Sequence, residues 1–279
     1  MRVITSVGEM QSLSDGARSD GKRISLVPTM GALHEGHINL ISEARKMGDV
    51  LVVTIFVNPT QFGPHEDFAK YPRDLEGDLR KIEGLGVDFV FAPTPEEMYP
   101  EGFQTYVEVK ELQEHLCGRF RPGHFRGVAT VVLKLFNIVK PHVALFGEKD
   151  YQQLKIIQRM VRDLNLDIEI SGFSIVRERN GLALSSRNAY LSSDKKERAP
   201  WVSRVLHDIK RDFDSGCRDA KVMTEKGKRV LSERGIGEVD YLEICDSQTL
   251  KSKEVAESGD LVAVAVRLDG TRLIDNIRL

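Results

Sequence analysis

Apolar residues in the first two thirds of the chain fall alternately into short continuous runs and into helical periods. Ser6-Val7-Gly8-Glu9 has the spacing of a capping box and predicts a first helix ending near Gly21. Positions 24–27 read as a short buried strand closed by Pro28. Over 35–47, Leu40, Ile41, Ala44 and Met47 share one helical face, and 50–57 is a mostly β-branched run of the kind found in strands covered on both sides. Strand, helix and strand in that order make a βαβ unit, which implies parallel pairing.

The alternation continues. Leu75, Leu79 and Ile82 mark a helix followed by Gly84 and Gly86, and 87–91 is the next strand. Val128, Val131, Val132, Leu135 and Val139 mark a long amphipathic helix stopped by Pro141, then come a strand over 143–146, a helix over 151–164 and a strand over 168–176. This grammar predicts an α/β fold with a Rossmann-like, doubly wound parallel sheet over 1–175. Beyond 176 the pattern changes. Ser193 or Asp194 can cap a helix running to about Phe213, and a second helix covers 220–234. Strand-like runs over 239–244, 261–268 and 271–277 follow, the last two joined by Asp269-Gly270, a strong type I′ hairpin signal. A smaller α+β domain over 176–279 is expected.

Composition narrows the setting. The 279 residues are 41% hydrophobic and 29% charged, enough for two ordinary domains or one large one with a real core. A net charge of −2 gives no bulk attraction to nucleic acid or to a membrane surface. Cys117, Cys217 and Cys245 are odd in number and far apart, which suggests neither a disulfide framework nor a zinc knuckle. With no signal-peptide core and no apolar run of spanning length, a soluble, cytoplasmic protein is expected.

Four segments sit where open α/β sheets bind ligands, after strands or at the domain junction. Pro28-Thr29-Met30-Gly31-Ala32-Leu33-His34-Glu35-Gly36-His37 joins a strand to a helix start, whose N–H groups and dipole suit phosphate. His34 and His37, three apart, project from one side of that first turn as hydrogen-bond donors. They also read as surface residues or as a zinc pair, although no third ligand has a recognisable spacing. Asn58-Pro59-Thr60-Gln61-Phe62 offers amides able to grip a hydroxyl and a carboxylate, or is an ordinary Asn-Pro turn. Gly147-Glu148-Lys149-Asp150-Tyr151-Gln152-Gln153 places a lysine to neutralise phosphate and an aspartate to cap a helix or hold a ribose hydroxyl or a metal. It reads equally as a charged, capped helix start. Gly181-Leu182-Ala183-Leu184-Ser185-Ser186-Arg187-Asn188 suits a mobile loop closing on a triphosphate, or a flexible linker. The basic cluster Arg119-Phe120-Arg121-Pro122-Gly123-His124-Phe125-Arg126 fits a substrate-side loop meeting acidic groups better than a nucleic-acid surface.

His34-Glu35-Gly36-His37 resembles the HxGH signature of the adenylyl-transferring nucleotidyltransferases, and Leu184-Ser185-Ser186-Arg187 resembles their KMSKS loop. Taken in order, these segments resemble the pantothenate synthetase (pantoate–β-alanine ligase) family throughout. Tyr71-Pro72-Arg73, Arg121-Pro122-Gly123-His124-Phe125 and Thr271-Arg272-Leu273-Ile274-Asp275-Asn276 fit as well. Two positions depart from the family pattern. Asn180 stands where an acidic residue is expected, and Leu184 where some relatives carry methionine.

The resemblance implies an ATP-dependent ligase that condenses pantoate with β-alanine through a pantoyl-adenylate, with Mg²⁺, as a homodimer with a C-terminal lid domain. From the charge balance, no nucleic-acid or membrane partner is expected. By position, ATP would be lined by Met30, Gly31, Ala32, Leu33, His34, Glu35, Gly36 and His37, by Gly147, Glu148, Lys149 and Asp150, and by Val176, Leu184, Ser185, Ser186 and Arg187. His37, His34, Lys149 and Arg187 would act on the reacting phosphate. Gln61 and Gln153 would hold pantoate, with Asn58 and Gln61 where β-alanine arrives. No residue is assigned to the metal. The alternative is a nucleotidyltransferase of cofactor biosynthesis that leaves the nucleotide on its product.

Overall fold

The alternating periods of the N-terminal part become a six-stranded, wholly parallel sheet. The computed structural model describes residues 1–64 and 66–279. In chain order the elements are β1 (Arg2–Ile4), α1 (Val7–Ser19), β2 (Ile24–Thr29), α2 (Glu35–Met47), β3 (Val50–Ile55), α3 (Leu75–Ile82), β4 (Phe89–Phe91), α4 (Pro95–Met98), α5 (His124–Val139), β5 (Val143–Gly147), α6 (Tyr151–Asp163) and β6 (Glu169–Phe173). The strand order is β1-β4-β3-β2-β5-β6. From β2 the chain first builds outward through β3 and β4, then returns to add β5 on the other side. The reversal makes the carboxyl ends of β2 and β5 the topological switch point. Val27, Ile41, Ala44, Leu51, Val53, Val90 and Val143 form a core between the sheet and α2.

Of the local outcomes that differ from the sequence expectation, three lie near the start of the chain; further on, the strand expected over 168–176 ends at Phe173, and the helix expected from 193 to 213 is divided at Ala199-Pro200. β1 is short and pairs at the sheet edge with β4, a contact that its three residues do not advertise. Ser6 occupies the cap position of α1 without a side-chain cap bond; Glu9 turns to Arg2, and the Val7 N–H is satisfied at 2.6 Å by Glu97. β2 runs through Pro28 to Thr29. Thr29 O accepts from Phe56 N on the β3 side, so Pro28 faces the opposite edge, where pairing with β5 has ended at Leu26. A missing N–H costs little there.

The C-terminal part forms α7 (Ser193–Arg198), α8 (Pro200–Asp214), α9 (Ala220–Glu233), β7 (Glu238–Cys245), β8 (Leu261–Leu268) and β9 (Thr271–Arg278). Its antiparallel sheet has the order β7-β8-β9. Val202, Val205, Leu206 and Ile209 of α8 and Met223 and Leu231 of α9 share a core with Leu242, Val262, Val264 and Val266 of the sheet. The Asp269-Gly270 turn has φ of 46° and 85°, the two positive values a type I′ turn needs.

The chain divides into two compact units. Met1–Gln113, Arg121–Glu148 and Gln153–Ser174 form the first, and Glu114–Phe120, Lys149–Gln152 and Ile175–Leu279 the second.

Candidate active site

In the first unit the segment after β2 is shaped by a buried carboxylate from α3. Gly31 and Ala32 are both left-handed, with φ of 76° and 49°, so successive N–H groups converge on one point. Such a concavity binds anions, and here Asp78 fills it. Its carboxylate accepts from Ala32 N at 2.7 Å and Leu33 N at 2.8 Å and is steadied by Lys81 at 3.2 Å. Asp78 is 1% exposed. A Cβ at position 31 would lie 2.9 Å from Asp78 Oδ2, so glycine there serves this internal clamp.

The clamped loop delivers His34 as the cap of α2. His34 Nδ1 accepts from Gly36 N at 3.2 Å, and His37 Nδ1 accepts from His34 N at 3.3 Å, a reciprocal box made by two histidines. Their ring centroids are 4.1 Å apart. With Nδ1 accepting in both, a neutral ring carries its proton on Nε2. Each imidazole therefore presents an Nε2–H donor at the positive end of α2.

The segment after β3 is held more tightly still. Asn58 is 1% exposed. Its Oδ1 accepts from Tyr99 Oη at 2.7 Å and Thr60 Oγ1 at 3.0 Å, and its Nδ2 donates to Gln61 Oε1 at 3.0 Å and Gly127 O at 3.2 Å. Burial pushes the Tyr99 phenol up to about 12, against a smaller opposing effect of its Thr60 hydrogen bond, so it remains a donor. This fixes the Gln61 amide: Oε1 is taken, and Nε2 points to Met30 Sδ at 3.0 Å. A thioether is a weak acceptor, which a substrate oxygen would readily replace. A β-alanine contact by Asn58 would have to displace one of its protein partners.

The supports behind Gln61 come from residues distant in the sequence. Arg121 grips Glu66 through Nε at 2.6 Å and Nη2 at 2.7 Å, so the acidic group it meets is the chain's own. Burial alone would raise the Glu66 carboxyl. The Arg121 fork with its charge, and the Gly63 N–H, outweigh that and bring it down to about 2. An arginine can only donate, so His124 Nε2 accepts from Arg121 at 2.9 Å and its Nδ1–H donates to Gln61 O at 2.8 Å. Gly127, inside α5, lets Thr60 and Gln61 lie against the helix: a Cβ there would be 2.3 Å from Thr60 O and 2.7 Å from Gln61 N. The family signature around Arg121 was the one sequence signal for this network. Nothing local marks Asp78, Tyr99 or Gly127.

Met30, Asn58, Gln61, His34 and His37 thus belong to one unit and, for the first two segments, to one connected arrangement. Gly147 ends β5, Glu148 follows it, and Gln153 is half-buried in the first turn of α6. Lys149 and Asp150 belong to the second unit, 3.6 Å apart. In that unit 176–184 is a hairpin: Leu184 N donates to Val176 O at 3.0 Å, and Arg177 pairs with Ala183. Asn180 caps its tip, accepting from Leu182 N at 3.0 Å and facing Glu178 Oε2 with its NH₂ at 3.4 Å. A carboxylate at 180 would keep the first bond and set like charges at the second. Ser185 Oγ accepts from Arg187 N at 3.3 Å, and Asn188 Nδ2 ties the loop back to Glu178 and Ala183, each at 3.1 Å. Among the described residues no group of three or more His, Cys, Asp or Glu could hold a metal, and no helix is long and apolar enough to cross a membrane.

The family model for pantoate-beta-alanine ligase matches residues 2–278. The chain is 53% identical over 278 residues to the pantothenate synthetase of Sulfurihydrogenibium sp. (strain YO3AOP1), covering 99% of both. It is 53% identical over 276 residues to that of Geobacter sulfurreducens, covering 99% of this chain and 98% of the relative. The crystal structure of pantothenate synthetase from Thermus thermophilus matches with a TM-score of 0.94 at 44% identity, over 99% of each chain. The pantoate-beta-alanine ligase of Francisella tularensis, complexed with beta-gamma ATP and beta-alanine, matches with a TM-score of 0.83 at 34% identity, over 100% of this chain and 97% of that one.

Proposed function

The chain belongs to the pantoate–β-alanine ligase family and is an ATP-using ligase, and we propose that it joins (R)-pantoate to β-alanine through an enzyme-bound pantoyl-adenylate. The observation that supports the residue assignment is that His34 and His37 cap α2 through Nδ1, while the Gln61 amide is oriented by Asn58 toward Met30 of the loop before that helix.

A carboxylate and an amine do not condense unaided at neutral pH, since the departing oxygen is a poor leaving group. Attack of the pantoate carboxylate on the α-phosphorus of ATP forms a mixed anhydride and expels pyrophosphate. The attacking oxygen is already anionic, so this step needs donors where charge builds on phosphate rather than a base. His37, with His34, donates there through Nε2–H, and Lys149 and Arg187 neutralise phosphate charge. Gln61 and Gln153 hold pantoate by its hydroxyl and carboxylate oxygens. In the second step the neutral amine of β-alanine, admitted beside Asn58 and Gln61, attacks the acyl carbon and releases AMP. That step depends on positioning and on excluding water from the anhydride.

Mg²⁺ fits this chain as an ion carried by the nucleotide. Lys149 and Asp150, 3.6 Å apart, put a carboxylate beside the lysine that meets the phosphates. Asp150 is the carboxylate that would face the ion, whose contribution is to offset pyrophosphate charge. A homodimer follows the family, and domains over 1–175 and 176–279 follow the change of sequence pattern near 176.

Pyrophosphate release from ATP and Mg²⁺, with pantoate, tests the function. With β-alanine, sustained release and matching AMP are expected; without it, about one pyrophosphate and one bound pantoyl-adenylate per site. Sustained release with pantoate alone, or no adenylate in quenched enzyme, would overturn the stepwise path.

A further inference from the structure

The segment 271–276 takes no part in the chemistry above, yet two of its side chains are buried and committed to the Lys149 carbonyl and to Arg177, in the hairpin that leads into the 185–187 loop. Asp275 and Asn276 are adjacent on β9 and are 4% and 7% exposed. Consecutive strand residues direct their side chains to opposite faces, so this pair can serve two different elements at once.

On one side, Asp275 receives both ends of the Arg177 guanidinium, Nη1 to Oδ2 at 2.6 Å and Nη2 to Oδ1 at 2.9 Å, and also the N–H of Asn276 at 2.8 Å. A buried carboxylate is tolerated with such partners. Held there, Arg177 Nη1 also donates to Gly181 O and to Ser203 Oγ, each at 3.1 Å. One guanidinium thereby joins β9, α8 and the tip of the 176–184 hairpin, the arm that leads into Ser185, Ser186 and Arg187. On the other side, Asn276 Nδ2 donates to Lys149 O at 3.0 Å. Only a donor satisfies that carbonyl. An aspartate of the same shape would set lone pairs against it.

We propose that Asp275 and Asn276 are positioning residues for adenylate formation, fixing the backbone at Lys149 and the 176–184 hairpin that leads into the 185–187 loop from one point on β9. The proposal rests on the phosphate roles given above to Lys149 and Arg187. It accounts for an amide, rather than an acid, at 276 and an acid at 275. Both act through the groups they hold, the Arg177 guanidinium and the Lys149 carbonyl.

The test is kinetic, on the full chain. Asp275→Ala would strand a buried guanidinium and endanger folding, so the variants are Asn276→Ala and Asp275→Asn, each checked by thermal melt. Asn276→Ala should slow pantoate-dependent adenylate formation on the order of tenfold while the KM for pantoate stays within about twofold. In a Lys149→Ala background it should add nothing, because residues acting as a unit are not additive. Asp275→Asn should slow the same step and likewise spare the KM for pantoate. Wild-type adenylation in both variants, or equal weakening of ATP, pantoate and β-alanine together with a lowered melt, would overturn the proposal. Full additivity of Asn276→Ala with Lys149→Ala would overturn it too. A wild-type rate in Lys149→Ala would instead sink the reading of Lys149 on which it rests.

Discussion

Replacing Gly127 by alanine is the most revealing single change available in the first unit. Alone, the substitution favours the helix, since glycine inside α5 costs about 1 kcal/mol relative to alanine. The tertiary contact opposes it. The new methyl would sit 2.3 Å from Thr60 O, 2.5 Å from Thr60 C and 2.7 Å from Gln61 N, all backbone atoms with no rotamer to yield. Ordinary contact requires about 3.5 Å, so helix and loop must part by about 1 Å. Overpacking of this kind costs about 1–3 kcal/mol, which leaves a net loss of stability no greater than about 2 kcal/mol. The displacement falls on Gln61, whose amide is set by Asn58 and whose carbonyl is held by His124. A misplacement of about 1 Å in a positioning group costs about a hundredfold in rate. Activity should therefore collapse while the fold survives. Pyrophosphate release with varied pantoate, alongside a urea melt, measures both. A kcat/KM for pantoate within about threefold of wild type would show that the loop yields freely and would refute the reasoning.

His37→Ala should fold normally and lose adenylate formation by about two to three orders of magnitude, read from pyrophosphate release; near-wild-type turnover would remove His37 from the reaction. Asp78→Ala should lose about 3 kcal/mol in urea unfolding, because two loop N–H groups lose their acceptor and Lys81 its partner; an unchanged midpoint would mean that the clamp is dispensable. Glu66 titrates at about 2 in the folded chain against 4.5 ordinarily. Its depressed folded value means that its contribution is full above pH 4.5 and is lost as the pH falls towards 2, by about 1–2 kcal/mol once solvent screening is allowed for. Urea unfolding of wild type and Glu66→Gln across that window should converge at low pH; parallel curves would show that the Arg121 pair carries no stability.

Much of this architecture is legible without coordinates, because local periodicity is set by neighbours a few residues away. The run at 50–57 and the helical face of Leu40, Ile41 and Ala44 declare a strand and a helix by themselves, and Asp269-Gly270 declares its turn through the positive φ that only a few residues tolerate. The same holds for the placement of His34 and His37 at a helix start after a strand. Long-range order is another matter. That β1 joins β4, that Glu97 rather than Glu9 satisfies the start of α1, and that Asp78 fills the concavity made by residues 45 and 46 positions earlier all depend on the strand order. Periodicity does not encode that order. The proton positions of the two histidines, the direction of the Gln61 amide and the partner of Arg121 were likewise decided only in three dimensions. Each is the outcome of a buried polar group finding its complement, and such groups must be satisfied wherever folding leaves them, by whichever residue the packing brings within reach.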